Sequence, residues 1–255
     1  MQTRMASCLT ALTLLSACSG NPLSFGGSDG STQKLAETAA DSGDYETSEA
    51  LYRQAFEANP SSVEALVGLG RSYTGLGQYN RAESALLAAQ ERKPRDTDIM
   101  LELARTQLAA GKNTDALNNL DRAYKKKPKD LRIITARGIA LDRVSRHTEA
   151  QALYRKGLDR DPTDFALLSN LGLSLALTGQ TDEAIRILRE LVNDHEASPR
   201  TRGNLAIAYG MAGREKEARQ VLAKDLSEGQ IDSNIAYYRE MRAMLQKGEN
   251  VASAE

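Results

Sequence analysis

Histidines, cysteines and clustered carboxylates are the side chains that most often carry chemistry, and this chain offers few of them. It has two His, His147 and His195, and two Cys, Cys8 and Cys18, in 255 residues. A His moves protons near neutral pH when a nucleophile or carboxylate is spaced to work with it. Neither His has a Cys or Ser nucleophile motif alongside, and no HExxH or CxxC spacing is present to hold a metal. Both are read as solvent-exposed side chains. Gly68, Gly70, Gly75 and Gly77 are dense enough to suggest a phosphate cradle, yet their spacing fits neither GxGxxG nor GxxxxGK followed by Ser or Thr. Lys125, Lys126, Lys127 and Lys129 form a basic run around Pro128. That run is either a patch for a polyanion or membrane surface, or a solvated helix C-terminus whose cations oppose the macrodipole. The inventory points to no catalytic residue, no cofactor and no metal.

The bulk composition is that of an ordinary folded chain. Lys+Arg 33 nearly balances Asp+Glu 34, for a net charge of −1, and 41% of residues are hydrophobic. No run approaches the ~20 apolar residues of a membrane span, which excludes a polytopic membrane protein. The charge balance lacks the basic surplus of general nucleic-acid binders. With 5% aromatics and no Trp, a β-sandwich is disfavoured. Two Cys cannot build a disulfide framework.

The N-terminus reads as an address. Arg4 precedes an uncharged stretch from Met5 to Leu15, and small residues follow, which is the layout of a secretory signal. Leu15-Ser16-Ala17-Cys18 resembles the lipobox of bacterial lipoproteins. The resemblance implies removal of 1–17 and lipidation of Cys18, and Ser19 in place of Asp implies sorting to the outer membrane, with the folded part on its periplasmic face. Residues 18–30 are rich in Gly and Ser and read as a flexible lipidated tether.

The remainder is governed by a ruler. Pro60, Pro94, Pro128 and Pro162 are each 34 residues apart, the period of the tetratricopeptide repeat. With Pro at repeat position 32, frames begin at 29, 63, 97, 131, 165 and 199. Position 8 is then Ala36, Gly70, Ala104, Gly138, Gly172 and Ala206, and position 20 is Ser48, Ala82, Ala116, Ala150, Ala184 and Ala218. Small residues there let two helices cross closely. Position 15 is Gly43, Gly77, Gly111, Ser145, Gly179 and Gly213, where a left-handed residue ends the first helix of each pair. Arg137 at a Leu position and Ser145 at a Gly position make the fourth repeat the least regular. Ile231, Ile235, Tyr238, Met241 and Leu245 form one stripe over 230–247, read as a helix that covers the open end of the array. The expected fold is all-α: a right-handed superhelical tetratricopeptide solenoid of six helix-turn-helix repeats over 31–247, including that capping helix, with 248–255 disordered.

Such arrays bind partners in the groove lined by the first helices, on rows at about positions 2, 5, 9, 12 and 13. Position 9 runs from Glu37, Arg71 and Arg105 to Ile139, Leu173 and Ile207, and position 13 ends in Leu177 and Met211. The groove is therefore polar in its N-terminal half and apolar in its C-terminal half. Leu173, Leu177, Ile207 and Met211, beside Asn170 and Asn204, either receive a hydrophobic segment of a partner or serve internal packing. Arg71 and Arg105 are the alternative binding residues.

The last stretch carries a resemblance. Asn204-Leu205-Ala206, Tyr209-Gly210, Gly213, Glu217-Ala218, Asp225-Leu226 and then Ser233-Asn234-Ile235-Ala236-Tyr237-Tyr238-Arg239-Glu240-Met241 resemble the TadD family of tetratricopeptide lipoproteins in Flp (tight-adherence) pilus assembly. The resemblance implies a non-catalytic scaffold at the outer membrane that assists assembly or localisation of the pilus secretin or its companion proteins. It implies no nucleic-acid partner. Type IV pilotins and a subunit of the β-barrel insertion machinery share the lipobox and the repeats, and remain the alternatives.

Overall fold

A computed structural model describes residues 29–194 and 197–248. The signal segment 1–17, Cys18, all but two residues of the tether, His195 and residues 249–255 lie outside the described residues. Among the described residues there are thirteen helices and no strand. They are α1 (Asp29–Asp41), α2 (Tyr45–Ala58), α3 (Val63–Gly75), α4 (Tyr79–Arg92), α5 (Thr97–Ala109), α6 (Asn113–Lys126) and α7 (Leu131–Arg143). There follow α8 (His147–Leu158), α9 (Phe165–Leu177), α10 (Thr181–Leu191), α11 (Pro199–Met211), α12 (Glu215–Leu222) and α13 (Glu228–Gln246). The first helix of every pair starts on the residue that the proline spacing assigns, and each second helix starts sixteen residues later. This is a tetratricopeptide solenoid of six pairs with a thirteenth helix on its end.

Local chemistry marks the ends of the first helices. Ser62, Asp96, Asp130, Asp164 and Ser198 stand one residue before a first helix, and each side chain accepts a hydrogen bond from an amide of the opening turn. The first helices end at position 13, and the chain turns away at position 15, where all five glycines have φ between 71° and 83°. Ser145 holds the same left-handed backbone at φ 62°, the one non-Gly residue with positive φ among those described.

The two helices of a pair approach over position 8. A Cβ built on Gly70 would sit 2.4 Å from Leu86, one on Gly138 2.2 Å from the Tyr154 ring, and one on Gly172 2.6 Å from Leu188. In each pair the position-24 side chain of the second helix thus fills the space that glycine leaves on the first. Ala82, Ala116, Ala150, Ala184 and Ala218 at position 20 are all fully buried. In the first pair Ser48 replaces Ala and is satisfied by Ser72 Oγ at 2.8 Å.

Packing is continuous from Met100 to Met241, whereas the first repeats hold two smaller clusters. Arg137, at its Leu position, binds Asp121 at 2.7 Å and lays its guanidinium 4.8 Å from the Tyr124 ring centroid. On α13, Ile231, Ile235, Tyr238 and Met241 are buried against α11 and α12. Tyr238 lies where a side chain at Gly210 would be, and Arg242 donates to the Gly210 carbonyl at 3.0 Å.

Two glycine substitutions separate close approach from helix propensity. Gly138→Ala should cost about 1–3 kcal/mol by pushing on Tyr154. Gly203→Ala, whose methyl would meet nothing within 4 Å, should raise stability by up to ~1 kcal/mol. Denaturant midpoints of the two variants check this; equal effects would mean that the glycine at position 8 is not a packing requirement.

Candidate partner-binding cleft

The first helices of the last three repeats, with α13, enclose a cleft of about 370 Å³. Its apolar lining comes from Ile139 on α7, Leu173 and Leu177 on α9, and Ile207 on α11. All four are partly exposed at the opening, and Leu177 and Ile207 also pack against the core. Tyr237, 37% exposed, and Met241 form the wall contributed by α13. Arg143, Asn170 and Arg200 also line the cleft.

At its base is a polar cluster built on Asp142. One carboxylate oxygen accepts from Ser174 Oγ at 2.7 Å and lies 2.8 Å from His147 Nδ1. The other accepts from the Tyr154 hydroxyl at 3.0 Å. Burial first, and the Asp142 carboxylate second, push the Tyr154 phenol far above its ordinary value, so it stays a donor. The three partners come from α8 and α9, so one carboxylate ties α7 to both neighbours. Gln151 continues the network, donating to Thr178 Oγ1 at 2.9 Å.

His147 is therefore not a solvated side chain: it is only 16% exposed and paired with Asp142. The geometry is not that of a catalytic triad, since Ser174 donates to the carboxylate and not to the imidazole. Ser174 is itself buried. No group of three or more His, Cys, Asp or Glu placed to hold a metal ion occurs among the described residues.

The residues singled out in the sequence separate in space. Asn170, Leu173, Leu177 and Ile207 come together at the cleft. Asn204 does not join them, being buried and donating to Ser169 Oγ at 3.1 Å. Met211 is buried as well and serves the core. Asn170 turns its amide back on its own helix, to the Ala166 carbonyl at 2.7 Å. Arg71 and Arg105 sit in two other depressions, and both face Glu102, at 3.8 and 3.0 Å. The sequence reading missed Asp142, Arg143 and Arg200. They lie on positions 12, 13 and 2 of their repeats, rows that the groove pattern already names.

Two family models match the chain. One, described as tetratricopeptide repeat, covers residues 39–105, and the other, the N-terminal tetratricopeptide repeat region of Psidin, covers residues 106–226. Among solved structures, a thermophilic tetratricopeptide protein of Thermus thermophilus is 21% identical over 71% of this chain and 98% of its own, with TM-score 0.63. A tetratricopeptide repeat protein of Parabacteroides merdae is 18% identical over 86% and 91%, with TM-score 0.65. Pseudomonas aeruginosa pilF is 15% identical over 77% and 87%, with TM-score 0.61. At such identities the likeness is one of fold. No curated protein matches the chain in sequence.

Asp142→Ala should strand the Tyr154 and Ser174 hydroxyls, each a loss of about 1–3 kcal/mol when buried without a partner. Asp142→Asn, which keeps an acceptor, should lose less. Urea unfolding of both variants is the check, and a loss below ~0.5 kcal/mol for Ala would show that water satisfies these groups.

Proposed function

We propose that the chain, a member of the tetratricopeptide-repeat proteins, is a non-catalytic scaffold lipoprotein of Flp (tight-adherence) pilus biogenesis. It is held on the periplasmic face of the outer membrane through lipid on Cys18. There it assists assembly or localisation of the secretin complex by receiving a hydrophobic segment of the secretin or a companion protein.

The observation that carries the binding half of this reading is the cleft over the last three repeats. Ile139, Leu173, Leu177 and Ile207 are apolar yet partly exposed, and they are contiguous across three helices. Partly exposed aliphatic side chains that share one concavity are what a ligand site requires. Side chains with a packing role, such as Leu171 and Leu175 on the same helix, are buried instead. The pilus assignment rests on the lipobox and on the resemblance of 204–241 to the TadD family.

Leu173→Glu with Ile207→Glu puts two charges into the cleft and changes none of the fully buried side chains of either helix, although Ile207 also touches the core. The double variant should keep its helical spectrum and lose co-purification with the secretin or its companion. An unfolded double variant would make those side chains internal packing. A folded variant that still binds would move the site to the depressions around Arg71 and Arg105.

A further inference from the structure

One edge of the solenoid gathers the loops that join each second helix to the next first helix. On it, repeat position 30 is Arg92, Lys126 and Arg160 in three successive repeats, and position 33 is Arg95 and Lys129 in two of them. All five are exposed, and no ion pair engages any of them among the described residues. The carboxylates of the same edge are mostly committed. Asp96, Asp130 and Asp164 cap helices. Glu64 pairs with Lys93 at 3.0 Å, and Asp98 with Lys127 and Arg132 at 3.3 and 2.7 Å. Glu57, Glu91, Asp159 and Asp161 remain against the five cations, Asp161 accepting from the Thr163 amide and hydroxyl. Residues 122–160 as a whole hold twelve Lys and Arg against four Asp and Glu, in a chain of net charge −1.

The N-terminal end of the described chain is on this edge too. Helix α1 begins there, as every first helix does. Gln33 in its first turns donates to Ser62 Oγ, the cap of α3, at 3.4 Å, and Gly30 shares a depression with Lys93 and Asp96. Whatever holds the chain by residues before Asp29 therefore holds it from the edge that carries the cations.

We propose that this edge is a membrane-facing surface that docks on anionic phospholipid headgroups, with Arg92, Lys126 and Arg160 as a row parallel to the bilayer. The inference rests on the lipid-anchoring reading only for the side from which the membrane is met. A row of long, exposed cations, of which Arg92 also lies 5.8 Å from the Phe56 ring centroid, suits a diffuse anionic plane, which attracts each added cation independently. It does not suit a single-stranded nucleic acid, because no exposed aromatic residue among those described stands beside it for stacking. A polybasic edge would also supply a second signal beside a lipid chain.

The test is co-sedimentation of the full chain carrying Cys18→Ser with vesicles of phosphatidylcholine alone or with about a third phosphatidylglycerol. The apolar stretch from Met5 to Leu15 meets both vesicle types, so the ratio of the two affinities reads charge. The ratio should be roughly tenfold or more at low salt, and should fall as salt shortens the screening length. Lys126→Glu with Lys129→Glu and Arg160→Glu should bring it close to one, while Arg186→Glu with Arg189→Glu and Lys216→Glu, on α10 and α12, should keep most of it. Helical spectra confirm that both triples fold. An unchanged ratio in the first triple, equal losses in both, or no preference for phosphatidylglycerol whatever the affinity for heparin, overturns the proposal. Labelling of the unsubstituted protein with a palmitate analogue is read separately. Loss of label at Cys18→Ser tests the anchor, and its failure leaves the vesicle result standing.

Discussion

Everything in this molecule depends on how closely two helices of a pair are allowed to approach at position 8. Where that residue is Gly, the partner's Leu or Tyr occupies the volume of the missing side chain, with built Cβ distances of 2.2–2.6 Å. Where it is Ala, the residue is fully buried. Close packing of this kind leaves a pair little freedom to change its crossing. Each pair then sets the next, because neighbouring repeats share one continuous set of buried side chains from Met100 to Met241. The face lined by the first helices, and the cleft on it, follow from that repetition.

The fourth repeat shows how the plan absorbs exceptions. Ser145 adopts a backbone that glycine takes in the other five repeats, and Arg137 occupies a column of leucines. Arg137, and Tyr154 in the same repeat, have polar partners. Arg137 is held by Asp121 and Tyr124, and Tyr154 at position 24 reaches Asp142 with its hydroxyl. A Leu at position 24 would fill the same volume without that bond. The repeat therefore exchanges apolar regularity for a carboxylate that joins three helices beneath the cleft.

Much of this was legible in the sequence because a solenoid is nearly one-dimensional: each residue's neighbours follow from its place in the period. The proline spacing placed all six first helices, and the position-15 column placed all six left-handed turns. The capping stripe was legible for the same reason, since Ile231 through Leu245 repeat on one helical face. What the period could not give is contact between side chains that differ from repeat to repeat within a column. His147 was read as exposed because its partner Asp142 is an irregular residue of its own repeat. Asn204 and Met211 were placed in the groove by their columns, but the sixth repeat buries both, Asn204 with its amide on Ser169 of α9 and Met211 in the core. Asp142, Arg143 and Arg200 could have been found by reading positions 2 and 12, and the rest of position 13, as closely as position 9.

The tethering and the recognition proposed above would use different parts of one scaffold. The loops between repeats collect cations on the edge where the N-terminus enters, and the last three repeats hold the apolar cleft, so a partner can be bound while the edge is occupied. The central claim is that the cleft is where the partner sits. The most direct measurement is site-specific photo-crosslinking in cells, with a photoreactive residue at Leu173 in the cleft or at Leu87, an exposed apolar position on α4. The account predicts a cross-link to a protein of the secretion machine from position 173 and none from position 87. A cross-link from 87 with none from 173 would contradict it.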